Sequence, residues 1–127
     1  MKKILLLSLL ATALLTTSCN STDDENDPIN CTQEFVSGLH VTVLDNTTGQ
    51  PLVEGVTATA VDGTYTETLE LVTGLENLFI GAGERVGNYT ITVTKSGYQT
   101  YTSSPITVTR DVCHVITQSL TVNLRSN

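Results

Sequence analysis

The run Gly87-Asn88-Tyr89-Thr90-Ile91-Thr92-Val93-Thr94-Lys95-Ser96-Gly97-Tyr98 leaves this chain little choice of local structure. Side chains alternate across an extended backbone, so Tyr89, Ile91 and Val93 share one side and Thr90, Thr92 and Thr94 the other. A half-buried strand is predicted, ended by Gly97, whose missing Cβ admits positive φ. Tyr98 follows, with an apolar ring and a polar tip able to fold back on the strand. The same alternation recurs between turn residues at about ten-residue spacing, the pattern of an all-β sandwich or barrel. Val41 and Val43 alternate with Thr42 and Leu44 before Asp45–Pro51, which is read as the first hairpin turn. Val56, Ala58 and Ala60 lead into a tight Asp62-Gly63 turn. Tyr65, Leu69 and Leu71 then share a face in one continuing third strand, opposite Thr64, Thr66, Thr68 and Glu70. Leu78-Phe79-Ile80 is a brief apolar run, with Gly81–Gly87 expected as a loop. Tyr98–Thr102 is a further short strand, and Pro105 places its neighbour at a sheet edge. Ile106–Thr109 and Val115–Leu124 close the chain, with Leu120, Val122 and Leu124 facing inward. No stretch beyond the first eighteen residues carries helical spacing.

The amino terminus is of another kind. Lys2 and Lys3 precede an apolar run from Ile4 to Leu15, roughly 18 Å long as a helix at about 1.5 Å per residue. That is too short for a bilayer core of about 30 Å and matches a secretory signal peptide over residues 1–18. Leu15-Thr16-Thr17-Ser18-Cys19 resembles the lipobox of bacterial lipoproteins, in which the cysteine thiol takes diacylglycerol and becomes the mature terminus. An ordinary secretory signal followed by a chance cysteine is the alternative. Residues 19–31 read as a polar, acidic tether. Within it, Ser21-Thr22-Asp23-Asp24-Glu25 resembles the signal that carries Bacteroidetes-type lipoproteins to the outer face of the outer membrane; a solvated spacer is the plainer reading. The implied location is the outer membrane, lipid-anchored and surface-exposed, with the periplasmic face as alternative.

The formal net charge is −7, from six Lys and Arg against thirteen Asp and Glu. Removal of residues 1–18 leaves only Arg85, Lys95, Arg110 and Arg125 to offset all the carboxylates. Such a surface repels phosphate backbones and argues against nucleic acid as a partner. Residues 32–127 form one domain, small enough to profit from a covalent brace. With Cys19 lipidated, Cys31 and Cys113 remain, and an extracytoplasmic compartment favours their oxidation to a disulfide. A metal site from Cys31, Cys113, His114 and His40 is disfavoured, because a strand points neighbouring residues to opposite faces.

Val43-x-Asp45, Thr48-Gly49-x-Pro51-Leu52, Gly55-Val56, Gly87-x-Tyr89-x-Ile91-x-Val93 and Gly97-Tyr98 together resemble the carboxypeptidase regulatory-like family of transthyretin-like domains. The resemblance spans about residues 38–124. It implies a Greek-key β-sandwich of seven or eight strands, prealbumin-like, acting as a binding, spacer or stabilising module without catalysis of its own.

The residues themselves offer little chemistry. His40 and His114 are both expected in strands, without the serine elbow or glycine turn of a nucleophilic site. The tail Leu124-Arg125-Ser126-Asn127 lacks the Tyr-Arg-Gly-Ser-like ending of transthyretin-like hydroxyisourate hydrolases. Gly81-Ala82-Gly83 lacks the lysine and following helix of a phosphate loop. Glu67 and Glu70 are the carboxylates a glycosidase reading would need to face across a cleft. An isopeptide bond would have to use Lys95. No cofactor and no metal are expected, and the chain reads as a non-enzyme. Contacts with an unknown protein or glycan are expected from loops 46–50, 73–77 and 81–85, or from an edge strand. A carbohydrate-binding accessory protein, using Tyr98, Tyr101 and a loop carboxylate on one exposed face, is the alternative, and a small hydrolase comes third.

Overall fold

The computed structural model describes residues 28–75 and 77–127, which contain strands and no helix. The signal peptide, Cys19 and the Ser21–Glu25 run lie outside the described residues. Among the described residues nine strands follow one another: β1 (Ser37–Asp45), β2 (Thr57–Asp62), β3 (Tyr65–Thr68), β4 (Glu70–Leu71), β5 (Leu78–Gly83), β6 (Gly87–Thr94), β7 (Tyr101–Thr102), β8 (Ile106–Val108) and β9 (Gln118–Leu124). One sheet has the order β4-β5-β1-β9; the other runs β3-β2-β6-β7, with β8 also pairing β6. β1 pairs antiparallel with β5 and parallel with β9, so the amino-terminal strand lies inside its sheet.

Alternation places the core as the sequence implies. Tyr89, Ile91 and Val93 of β6 are fully buried, and with Ala58 and Ala60 of β2 they pack against Leu39, Val41 and Val43 of β1 and Val122 and Leu124 of β9. Thr residues take the other face, where a branched Cβ suits the pleat and the hydroxyl stays wet. β2 and β3 form the expected hairpin, pairing Asp62 with Tyr65 around Gly63 at φ 58°.

Four expectations are corrected. The Asp45–Pro51 turn closes through Asp45 N to Gln50 O (2.8 Å) and a single Leu44–Pro51 bridge, but β1 and β2 belong to different sheets. The chain leaves the first sheet after Leu52 and reaches β2 through Gly55, at φ 71°. The continuing third strand is two strands. Leu69 N still donates to Ala58 O beside β2, whereas Glu70 already pairs with Ile80 in the other sheet, so the chain changes sheets at buried Leu69. Leu71, expected on one face with Tyr65 and Leu69, is consequently exposed.

The expected glycine loop at 81–87 is mostly strand, because β5 runs through Gly83 between β4 and β1. Its glycines admit close neighbours: a Cβ on Gly81 would run into the Glu67 carboxylate and Leu69, and one on Gly83 into the Phe35 ring. Only Glu84–Val86 remain as a turn, with Glu84 at φ 49°. Tyr98–Thr102 likewise contributes just Tyr101–Thr102 to a strand, since residues 97–99 turn aside to meet the carboxyl-terminal tail.

Candidate functional site

The two sheets leave an open mouth on each flank. On one flank the edge strands are β9 above and β7 with β8 below, and between them lies a groove of about 480 Å³. Period-2 alternation along β9 sends Val122 and Leu124 into the core and leaves Thr121 and Asn123 exposed beside the groove. Gln99, Thr100 and Tyr101 form the facing wall, and Asn46 and Arg125 close its end. Gln99 is held there by its N–H, which donates to Arg125 O at 2.8 Å, while Tyr98 bridges to Ser126. The lining is amide, hydroxyl, one phenol and one guanidinium, which suits hydrogen bonding to an uncharged or acidic ligand.

The two tyrosines singled out from sequence part company here. Tyr101 lines the groove, half-buried. Tyr98 stands behind it as a corner residue, its hydroxyl donating to Asp45 Oδ2 at 2.8 Å. Asp45 Oδ1 accepts the N–H groups of Thr47 and Thr48, both at 2.8 Å. The Thr48 N–H, then the Tyr98 hydroxyl, hold the Asp45 carboxyl below its ordinary range, and the carboxylate in turn raises the Tyr98 hydroxyl. This loop carboxylate is committed to its own turn and to Tyr98.

On the opposite flank a hollow of about 320 Å³ is lined by Phe35, Ile80, Glu67 and Glu70, among others. Both carboxylates therefore reach one cleft, as a glycosidase would need. Glu67, however, is used structurally: Oε2 accepts the Tyr65 hydroxyl and Oε1 the Ala82 N–H at 2.5 Å, joining β3 of one sheet to β5 of the other. The Tyr65 hydroxyl is raised by that bond to Glu67. Arg85, beside this flank, lies 3.8 Å from the Tyr65 ring centroid and donates to Asp62 Oδ2 (2.8 Å) and to the Tyr89 hydroxyl (2.7 Å). The Tyr89 bond and then the Asp62 bond raise the guanidinium further above its ordinary value. The knot ties the β2–β3 turn to the β5–β6 turn and satisfies the one polar atom of buried Tyr89. A third hollow, of about 450 Å³, is walled by Val53, Leu71, Val72 and Leu75, among others.

The disulfide expected between Cys31 and Cys113 is present, with Cα atoms 5.3 Å apart. It brings together the residues that follow its two cysteines, Thr32 and His114. His114 lies in a turn after β8, where its N–H and that of Cys113 donate to Asp111 Oδ1, lowering that carboxyl. Its Nε2 is 3.0 Å from Thr32 Oγ1 and its Nδ1 2.8 Å from Glu84 Oε1. Hydroxyl, imidazole and carboxylate stand in the order of a nucleophilic triad. Glu84 Oε1 also accepts the Val36 N–H at 2.9 Å, the main reason its carboxyl is lowered, and none of the three hollows is lined by Thr32, His114 or Glu84. The arrangement fastens the chain entering β1 onto the domain. His40 is in β1, paired with Ile80 and Ser119, and among the described residues no His, Cys, Asp and Glu cluster could hold a metal ion. The Lys95 ammonium is occupied by the Glu54 carbonyl.

Sequence reasoning missed Gln99, Thr121, Asn123 and Arg125 as neighbours, because nothing local signals that the tail and residues 97–99 pair. The contact of Thr32 with His114 did have a signal, since each follows a cysteine of the predicted bridge. Fold and site define an all-β, two-sheet, disulfide-braced domain with a polar groove at one open flank. No protein-family model matches the chain, and no curated protein matches it.

Proposed function

We propose that this chain is a lipid-anchored outer-membrane protein, displayed at the cell surface, whose domain is a non-catalytic binding or structural module. The strands are read as a Greek-key sandwich of the transthyretin-like, carboxypeptidase regulatory-like kind. One observation carries the binding role: the groove between β7 and β9 is lined by polar groups that bear no load in the fold. Thr121 and Asn123 make no side-chain hydrogen bond among the described residues, whereas the carboxylates of Asp45, Glu67, Glu84 and Asp111 are all engaged in holding turns and sheets. Diacylglycerol on Cys19 and the acidic tether hold this surface away from the membrane. A carbohydrate ligand is favoured second, by Tyr101 standing with the amides of Asn46, Gln99 and Asn123 in one groove.

Two experiments test the reading. Protease shaving of intact cells is expected to remove the wild-type domain but not a variant with Asp23, Asp24 and Glu25 changed to Ala. Shaving of neither, with release of both on lysis, assigns the domain to the periplasmic face. A photo-crosslinking residue at Asn123 is expected to capture a partner in cells, and one at exposed Thr66 on the opposite flank is not. Equal or no capture at both positions removes the binding role.

A further inference from the structure

The groove beside β9 is more than a polar hollow, because the main chain of β9 opens into it. The two backbone groups of a strand residue point to one side, and the sides alternate along the strand. Leu124 O accepts Asn46 N on the β1 side, whereas Arg125 O accepts Gln99 N on the opposite side, both at 2.8 Å. The N–H and C=O of Ser119, Thr121 and Asn123 therefore face away from β1. On that side residues 97–99 already act as a short neighbouring strand: Tyr98 bridges Ser126 antiparallel, and Asn127 N donates to Gly97 O at 3.0 Å. This ladder stops at Arg125, where the chain turns off through Thr100 to join β6 as β7. The next rungs, at Asn123 and Thr121, have no partner on this side among the described residues, and both line the groove.

Exposed edges are usually guarded by charge, proline or a bulge. Gln118–Leu124 contains no charged residue and no proline, and its register with β1 is unbroken from Leu39–Gln118 to Asp45–Leu124. The open stretch Ser119–Asn123 is about 13 Å long at about 3.3 Å per residue, the length of a short extended segment.

Resting on the binding role above, we propose that the groove is a strand-addition site: an extended peptide segment of a partner protein pairs with Ser119–Asn123 and continues the ladder begun by residues 97–99. Unpaired main-chain donors and acceptors in register select a peptide over a glycan, because they repeat at the spacing of another backbone. Tyr101 supplies the apolar part of the accessible lining and Arg125 its one charge. The fitting segment is uncharged or acidic, with small or apolar side chains at alternate positions and a carboxylate able to meet Arg125.

The test is selection of a phage-displayed library of short linear peptides on the immobilised full-length protein, followed by titration of the enriched peptides. Thr121→Pro removes an N–H that faces the groove and leaves the β1 ladder intact, a change edge strands accept. Enriched peptides are expected to bind roughly tenfold more weakly to Thr121→Pro, about the effect of one lost hydrogen bond in an edge ladder. They are expected to lose binding when N-methylated on alternate residues in one phase and to keep it in the other. The N-methylation result stands even if Thr121→Pro does not fold. Peptides that ignore both changes overturn the proposal. So does a glycan array yielding ligands lost in Asn123→Ala while no peptide is enriched, which leaves the binding role in place. A dimer of the wild type that Thr121→Pro dissociates also overturns it, since the edge then belongs to a second copy.

Discussion

Gly38 and Gly83 both lie in strands that pair with each other, yet a methyl group would strike very different neighbours. At Gly38 it would lie 2.8 Å from Ala82 O and 2.8 Å from Val108 Cγ1, a backbone atom and a buried side chain that have nowhere to go. At Gly83 it would meet the ring of Phe35, which is 74% exposed and free to swing out. Gly38→Ala is expected to cost about 1–3 kcal/mol by overpacking, and Gly83→Ala distinctly less, as read by urea denaturation. Equal losses would mean that Phe35 is held more firmly than its exposure indicates. Tyr98→Phe tests the corner: without the hydroxyl, the Asp45 carboxyl should rise toward 3.8 but stay below it, because the Thr48 N–H is the larger influence. An NMR titration of the Asp45 side chain reads the change.

At the scale of turns, three carboxylates outside the Glu67 link are anchored to main-chain N–H groups: Asp45 at the end of β1, Glu84 after β5 and Asp111 after β8. Each is lowered from its ordinary value of 3.8 for the aspartates or 4.5 for the glutamate. A carboxyl with a lower pKa folded than unfolded adds stability that is complete above the unfolded pKa and is lost as pH falls through the folded one. The thermal midpoint is therefore expected to be flat from neutrality to about pH 5 and to fall below about pH 4. Asp111→Asn should shrink that acid loss. An acid loss as large in the variant as in the wild type would place the effect elsewhere. Strand β5 carries a different lesson: Gly81-Ala82-Gly83 looks like a loop by composition, and is strand because it pairs with β1, Ser37 opposite Gly83 and Leu39 opposite Gly81, contacts distant in the chain.

For the whole molecule, the disulfide joins residues 82 apart and closes most of the domain into one loop. Replacing Cys31 and Cys113 by Ser is expected to cost about 4 kcal/mol in the chain-entropy account, measured by urea denaturation of the oxidised protein and the variant. Protease cleavage before β1 should also quicken, since Thr32 then holds to the domain only through His114 and Val36 through Glu84. An unchanged cleavage rate would show that these hydrogen bonds suffice without the bridge.

The sequence by itself determined the all-β class, the inward set Tyr89, Ile91, Val93, Val122 and Leu124, the Asp62-Gly63 hairpin and the pairing of the two cysteines left over. These follow from bond geometry across a few residues, where alternation holds whatever the partner strand, and from thiol chemistry. It left open which strand lies beside which. The sheet change at Leu69, the place of β1 between β5 and β9, and the meeting of Gln99 with Arg125 depend on contacts between residues distant in the chain. The groove belongs to that second kind. Asn46, Tyr101 and Asn123 become neighbours only when two sheets close on one core, so the tertiary structure alone decided where this molecule offers an open edge.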